Sequence, residues 1–146
     1  MENKIWYKIP LSNLKQPIKG IETVDGANCS LYEKQIQETI QLFNSDIFWD
    51  DMFTLEDAYD RLETGHKLYL LRYKDKPLGH LWDKNGYVYN VYVHPSRKKG
   101  TAELFFKSYM ILSGHQEINL YTDDWNIKAQ KFFEKVGGLK VNSYIV

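Results

Sequence analysis

Apolar residues recur along this chain with two different periods, and the period decides which elements it predicts. Between residues 67 and 93, apolar and polar positions alternate or form short β-branched and aromatic runs, interrupted at 74–77 and at Asn85-Gly86. This pattern predicts three consecutive strands joined by tight turns into an antiparallel meander. The segment 10–28 is interpreted as loop with room for one more short strand. The predicted strands cover residues 4–9, 67–73, 78–83, 87–93, 117–122 and 139–146.

The helical period of three to four residues marks four other segments. Ser30 to Glu33 has the spacing of a capping box, and an apolar stripe follows it as far as Asn44. Thr54 opens the next helix in the same way, and Gly65 ends it. The predicted helices cover residues 30–44, 54–64, 101–113 and 126–136. The resulting order, β-αα-βββ-α-β-α-β, predicts one mixed α/β domain over residues 1–146.

Charge and composition narrow the classes of partner. Lys plus Arg and Asp plus Glu number 19 each, so the basic surface typical of nucleic-acid-binding proteins is not expected. Cys29 is the only cysteine, which excludes an intramolecular disulfide and fits a reducing compartment, so we expect a cytoplasmic protein. No targeting segment, membrane span or metal site is expected, because no long apolar run and no metal-ligand spacing of histidines occurs.

The sharpest chemical signal is a cationic turn between a predicted strand and a predicted helix. Arg97, Lys98 and Lys99 precede Gly100, and Ala102 follows at the start of the helix. Small residues let backbone N–H groups approach an anion, and the first helical turn adds unpaired N–H groups and a positive dipole end. The segment is either a pyrophosphate site or an ordinary basic turn. A short glycine motif does not decide between them by itself.

Two motifs together make the chain similar to the GNAT superfamily of N-acetyltransferases. The first is Val91-Tyr92-Val93-His94-Pro95 followed by Arg97-x-x-Gly100-x-Ala102, and the second is Asn126-x-x-Ala129-x-x-Phe132-Phe133-Glu134-Lys135-Val136-Gly137. The resemblance covers residues 67–139, and the two N-terminal helices by element order alone. It implies a GNAT-like α/β fold, with a mostly antiparallel sheet of six to seven strands and four helices. It also implies direct transfer of the acetyl group from acetyl-CoA to an amine.

The resemblance further implies where acetyl-CoA binds. The pantetheine arm would lie between the strand ending at Val93 and the strand 117–122, held by backbone groups of Val91 and Val93. A backbone N–H of the first strand would polarise the thioester carbonyl. Asn126 would bind the pantetheine and also cap its own helix. The donor-binding residues implied in this way are Val91, Tyr92, Val93, Arg97, Lys98, Lys99, Gly100, Thr101, Ala102, Asn126 and Phe133.

Three positions depart from the family pattern where catalysis is concerned. Phe133 stands where many members have a tyrosine that protonates the leaving thiolate, and a phenyl ring has no proton to give. Tyr89 and Asn90 stand where a carboxylate base is often found. An alkylammonium ion must lose a proton before it can attack, so the catalytic candidates are Tyr89, Asn90 and His80. For His80, a half-exposed strand histidine is the more ordinary interpretation.

The resemblance places the loop between the first two helices beside the acceptor. Trp49, Asp50 and Asp51 in that loop would suit a cationic amine through cation–π and Coulomb attraction. The simpler interpretation is that the loop's aromatic residues pack on the core while its acids are solvated. The acceptor is predicted to be an amine of a small molecule, a polyamine or a protein.

Two other hypotheses for the function stay open. A non-catalytic acyl-CoA binding or sensing module would account for Phe133 and for the missing carboxylates. A toxin that acetylates aminoacyl-tRNA would need a basic RNA-binding face, which zero net charge disfavours. The sequence also leaves open a homodimer, and whether a seventh strand is absent or supplied by a partner chain.

Overall fold

The computed structural model describes residues 4–10, 14–46, 52–95 and 97–141. Within them the fold is mixed α/β with four α-helices and seven strands, which confirms the predicted class. The helices are α1 Glu33–Asp46, α2 Leu55–Glu63, α3 Thr101–Ser113 and α4 Ile127–Lys135. The strands are β1 Lys4–Pro10, β2 Ile21–Val24, β3 Lys67–Tyr73, β4 Lys76–Lys84, β5 Tyr87–Val93, β6 Glu117–Asp123 and β7 Leu139–Val141.

The strands form one sheet in the order β2-β3-β4-β5-β6-β1-β7. The pairs β2/β3, β3/β4, β1/β6 and β1/β7 are antiparallel, and β5/β6 is parallel. This arrangement confirms a mostly antiparallel sheet. Its seventh strand comes from this chain, because β7 pairs with β1 in the register Trp6↔Val141 to Lys8↔Leu139.

The chain divides into two compact units, which we name after their place in the sequence. The middle unit comprises the described residues of 19–85 and 89–102, and the terminal unit those of 1–18, 86–88 and 103–146. The single domain over 1–146 stays a prediction. None of the described helices combines the length and the apolar character needed to cross a membrane.

The core of the middle unit lies where α1 and α2 contact β3 and β4. Residues 68–71 of β3 are all buried, although neighbouring side chains of a strand point to opposite faces, so both faces of this strand are covered. Burying a large apolar side chain stabilises the fold by about 1.5–3 kcal/mol. The core cluster consists of Val24, Ile36, Ala58, Leu62, Leu68, Leu70 and Trp82.

The terminal unit has its own core. Strand β1 lies between β6 and β7 and buries Tyr7 and Ile9. Helix α3 is apolar over most of its surface, as expected for a helix that packs deep in a core. Its fully buried residues are Phe105, Phe106, Ser108, Tyr109 and Met110.

Local sequence accounts for how the elements of the middle unit begin and turn. Thr54 and Asp57 form the predicted capping box, because the Thr54 hydroxyl accepts from the Asp57 N–H and the Asp57 carboxylate accepts from the Thr54 N–H. Strands β3 and β4 are joined by two residues, Lys74-Asp75, with φ of 51° and 62°. Asn85-Gly86, with φ of 52° and 86°, joins β4 to β5. Two positive φ values in a two-residue turn are what a type I′ hairpin requires.

The structure corrects the predicted start of the first helix. Ser30 does not cap it, since Cys29–Tyr32 form a 3₁₀ turn and α1 begins at Glu33. The Asn28 amide ties down the preceding turn, accepting from the Asp25 N–H at 2.9 Å and donating to the Thr23 carbonyl at 3.1 Å. The change of chain direction is therefore made before Ser30.

The structure also corrects the start of β4, which was predicted at residue 78 and begins at Lys76. Pro77 lies inside this strand. The β3/β4 register shifts between Leu71 and Arg72, and an irregular position in a ladder tolerates a residue without an N–H. Segment 10–28 contains the one short strand for which it had room, β2. The last predicted strand is described as far as Val141.

Candidate active site

The middle unit contains a cavity of about 560 Å³. It is bordered by the end of α1, the segment before α2, one face of α2, and strands β4 and β5. A volume of this size is typical of small-molecule sites. Its lining residues are Phe43, Met52, Phe53, Asp57, Asp60, Arg61, His80, Trp82, Tyr89 and Asn90.

His80 and Asn90 form a hydrogen-bonded pair in this cavity, on β4 and β5. His80 Nε2 lies 2.7 Å from Asn90 Oδ1, so Nε2–H donates and the amide oxygen accepts. His80 is 5% exposed, and its Nδ1 is buried without a partner among the described residues. Burial lowers the pKa of His80 to about 4, although the bond to Asn90 opposes the shift. The interpretation of His80 as a half-exposed histidine is therefore wrong, and the imidazole is neutral at neutral pH.

Aromatic side chains hold this pair in place. The Phe43 ring meets the rings of His80 and Tyr92 edge-on, each at 5.2 Å between centroids. Tyr92 donates its hydroxyl proton to Asp46 at 2.8 Å, and burial together with this bond raises the pKa of Tyr92. Tyr89 is exposed and lines the cavity, with its ring 4.9 Å from that of His66. The structure thus brings Tyr89, Asn90 and His80 together at one cavity.

Helix α2 contributes three charges to the cavity, at Asp57, Asp60 and Arg61. The spacing of three and four residues places them on one face of the helix. The Arg61 guanidinium carbon lies 4.8 Å from the Phe53 ring centroid and 5.2 Å from that of Trp82. Burial lowers the pKa of Arg61, while the nearby Asp57 carboxylate raises it. The cavity therefore has both signs of charge beside aromatic faces.

The cationic turn leaves space for an anion. Gly100 has a φ of 89°, and no atom lies within 4 Å of the place where its Cβ would be. Lys98 and Lys99 are exposed, and α3 begins directly afterwards at Thr101, whose N–H donates to the Lys98 carbonyl at 3.1 Å. An open glycine, two exposed cations and the start of a 13-residue helix fit a pyrophosphate group.

The Arg97 side chain stabilises the backbone of that turn. Its Nη1 donates to the carbonyl oxygens of Val93 and His94, at 3.1 Å and 3.2 Å. The guanidinium therefore fixes the backbone as it leaves β5. Ser96, next to it, lies outside the described residues.

Two of the residues implied for the donor lie in the terminal unit. Asn126 caps α4, because its Oδ1 accepts from the Ala129 N–H at 3.1 Å, so the predicted cap is confirmed. Phe133 is 7% exposed and packs against Tyr7, with 5.5 Å between ring centroids. Phe133 is thus part of the core of this unit.

The predicted acceptor residues Trp49, Asp50 and Asp51 lie outside the described residues. The acids that line the cavity, Asp57 and Asp60, were missed by sequence reasoning, as was Arg61. Their signal was present, because the spacing of the three residues places them on one face of a predicted helix. Over the described ranges, no group of three or more His, Cys, Asp or Glu side chains could hold a metal ion.

Comparison with known proteins gives likenesses in structure only. No family profile matches the sequence, and no protein of curated function matches it. A protein from Novosphingobium aromaticivorans assigned to the GNAT acetyltransferase family superposes with a TM-score of 0.60 at 12% identity, over 97% of this chain and 61% of that one. This chain thus spans less than two thirds of that protein's length.

Two aminoglycoside acetyltransferases are similar over nearly their whole length. The aminoglycoside 6′-N-acetyltransferase from Acinetobacter haemolyticus has a TM-score of 0.60 at 14% identity, over 86% of this chain and 94% of that one. An enzyme from an uncultured soil metagenomic sample, solved with sisomicin, gives the same values. The chain therefore has the GNAT acetyltransferase fold.

Proposed function

We propose that this chain is an N-acetyltransferase that moves the acetyl group of acetyl-CoA to an amine bound in the cavity of the middle unit. The observation that carries the proposal is the cavity itself, about 560 Å³ in volume and lined by carboxylates and aromatic faces, in a chain with the GNAT fold. Both kinds of side chain attract an amine or ammonium group. The GNAT-like motifs at residues 91–102 and 126–137 support the same donor.

The donor would be held by residues of the cationic turn and of β5. Acetyl-CoA supplies a thioester whose carbonyl carbon is open to attack. The turn from Lys98 to Ala102 would hold the pyrophosphate, and backbone groups of Val91 and Val93 would bind the pantetheine amides. Tyr92 would contribute through its backbone only, because its side chain is buried and bonded to Asp46. Asn126, which caps α4, would also bind the pantetheine.

Attack forms a C–N bond and breaks the C–S bond, while the amine loses one proton and the thiolate gains one. The Asn90 amide can bind the acceptor nitrogen or a water molecule but cannot take up its proton. His80 Nδ1 is covered and Nε2–H is bonded to Asn90. We therefore assign His80 the role of orienting Asn90, and assign the proton transfers to water in the cavity.

Turnover on a panel of amines tests the proposal. The purified chain is mixed with acetyl-CoA and, in turn, an alkylamine, a polyamine, an amino acid, a peptide with a free α-amine and an aminoglycoside, the acceptor of two structural neighbours. We expect release of free thiol only when an accepted amine is present, with the acetylated amine identified by mass spectrometry. Thiol release independent of any amine would contradict transfer.

The rival function is an acyl-CoA sensing module. Phe133, buried in the core without a hydroxyl, and the absence of a carboxylate at Tyr89 and Asn90 favour it. Calorimetric titration with CoA separates the two functions. Binding of CoA without thiol release on any amine would support the sensor, and absence of CoA binding would remove both.

A further inference from the structure

We propose that the acceptor carries a carboxylate as well as its amine, and that Arg61 binds this carboxylate in the cavity of the middle unit. The proposal rests on the function proposed above and names its substrate class. Such an acceptor is an amino acid or a similar zwitterionic amine. It differs in charge from a polycationic aminoglycoside.

The geometry of Arg61 carries the proposal. Its guanidinium is half-buried and lies over the rings of Phe53 and Trp82, at 4.8 Å and 5.2 Å. Aromatic faces attract a cation but accept no conventional hydrogen bond from its N–H groups, which point along the plane of the guanidinium. No described residue accepts a hydrogen bond or forms an ion pair with this guanidinium. Within the described part of the chain, this fork of donors therefore borders the cavity without an acceptor.

The other two arginines of the chain have acceptors in the protein, although Nη1 of Arg72 is buried without a partner among the described residues. Arg72, with a side chain 12% exposed, pairs with Glu22 at 3.3 Å and with Glu38 at 3.5 Å. Arg97 donates to two backbone carbonyls. Arg61 is half-buried and borders the cavity, so water can hydrate its guanidinium when no ligand is bound. A carboxylate of the ligand would replace that water with a charge-assisted hydrogen bond.

The charges around Arg61 favour a carboxylate over a phosphate. Asp57 and Asp60 lie on the same helix face as Arg61. A phosphate dianion would therefore be repelled by two carboxylates and attracted by one guanidinium. The planar guanidinium matches a carboxylate in a bidentate pair. The two acids then remain to attract the ammonium group of the same molecule, and the Asn90 amide lines the cavity with them.

The test uses acetylated products, because these carry the carboxylate without a titrating amine. Binding of N-acetyl-L-phenylalanine and of N-acetyl-L-phenylalaninamide to the full chain is measured by calorimetry at neutral pH. The benzyl group suits the aromatic lining. We expect the carboxylate to bind about tenfold tighter than the amide. Equal affinities, tighter binding of the amide, or no binding of either compound would overturn the proposal.

Substitutions at Arg61 test whether this residue causes the preference for the carboxylate. Arg61→Gln should abolish the preference for the carboxylate, and Arg61→Lys, which keeps the charge without the fork, should retain part of it. Lys67→Gln removes an exposed cation from the same unit and should leave the preference intact. Thermal unfolding verifies that each variant is folded. If Arg61→Gln does not fold, the preference measured in Arg61→Lys tests the role of Arg61 instead. A preference unchanged in a folded Arg61 variant would overturn the assignment.

Turnover separates this inference from the proposed function. L-Phenylalanine, L-phenylalaninamide and phenethylamine are compared as acceptors. Acetylation of the last two but not of phenylalanine would overturn the carboxylate proposal and leave the acetyltransferase in place. No thiol release with any amine, while Arg61 still selects the carboxylate in the binding test, would overturn the proposed function and leave the anion site.

Discussion

At the scale of single residues, His80 shows how burial sets chemistry. The ring is enclosed by Phe43 and Tyr92, and its one visible hydrogen bond goes to Asn90. Desolvation penalises the charged form. A neutral imidazole that orients an amide is therefore what this environment supports, rather than a base that exchanges protons at neutral pH.

The same burial predicts a pH dependence of stability. Burial lowers the pKa of His80 from its usual 6.5 to about 4 in the folded chain, so between these values the unfolded state binds more protons. Stability is then present in full above pH 6.5 and is lost as pH falls towards 4, by about 3 kcal/mol in total. His80→Gln should flatten this part of the curve of unfolding free energy against pH, measured by urea denaturation.

The control for this prediction is His115→Gln, which removes a histidine from the terminal unit. If it flattened the curve as much as His80→Gln does, the effect would not belong to His80. A wild-type slope retained in His80→Gln would show that the ring takes up its proton in the folded state as easily as in the unfolded chain.

At the scale of elements, the turn between β5 and α3 combines a positive φ with open space. Gly100 and Gly65 make a matched pair, with φ of 89° and 94° and no atom within 4 Å of either Cβ position. Only Gly100 lies between exposed lysines and the start of a helix. A substitution at both sites therefore separates backbone strain from loss of an anion site.

We expect Gly100→Asp to weaken CoA binding by at least roughly tenfold, or about 1.4 kcal/mol, because it adds bulk and like charge where the pyrophosphate would bind. Gly65→Asp should leave the affinity within about twofold. Both should lower the unfolding free energy by about 1 kcal/mol. Calorimetric titration with CoA checks the affinities, and equal losses in the two variants would remove the pyrophosphate assignment.

Elements with strong local signals were predictable. The Thr54 capping box and the Asn85-Gly86 turn depend on residues three positions apart or adjacent, and both are confirmed. The start of α1 was wrong because Asn28 makes hydrogen bonds that a helical pattern does not contain. The start of β4 was wrong because a proline is normally read as a break, whereas an irregular register accommodates Pro77.

At the scale of the whole molecule, the cavity is the part that sequence reasoning missed. The sequence indicates Asn90 and His80 as single candidates, but not the hydrogen bond between them, which joins two strands. It also does not indicate the contact of His80 with Phe43, which lies on a helix distant in sequence. Such meetings depend on packing between elements rather than on any local period. The polar face of α2 could be predicted from its residue spacing, but not the fact that this face lines the cavity.

A change in the β3/β4 turn should stabilise the whole chain. Lys74 and Asp75 both have positive φ, which Asn-Gly adopts with less strain. Lys74→Asn combined with Asp75→Gly should raise the unfolding free energy by about 1 kcal/mol in urea denaturation. The bond from Arg72 Nη2 to the carbonyl oxygen of residue 75, at 2.7 Å, is kept because it uses the backbone. Unchanged or lower stability would contradict the turn assignment.

The two-residue turns of the meander also determine which strands pair first during folding. Pairs such as Tyr73↔Lys76 are neighbours in sequence, whereas Lys4↔Asp123 joins residues 119 positions apart, and long closures slow folding. We expect β3, β4 and β5 to assemble early and β1 to join late, although β1 precedes them in the chain. Newly made chains would thus carry β1 unpaired until β6 has been synthesised, because both strands that pair with β1 come later in the chain, and β1 would need protection from aggregation during that interval.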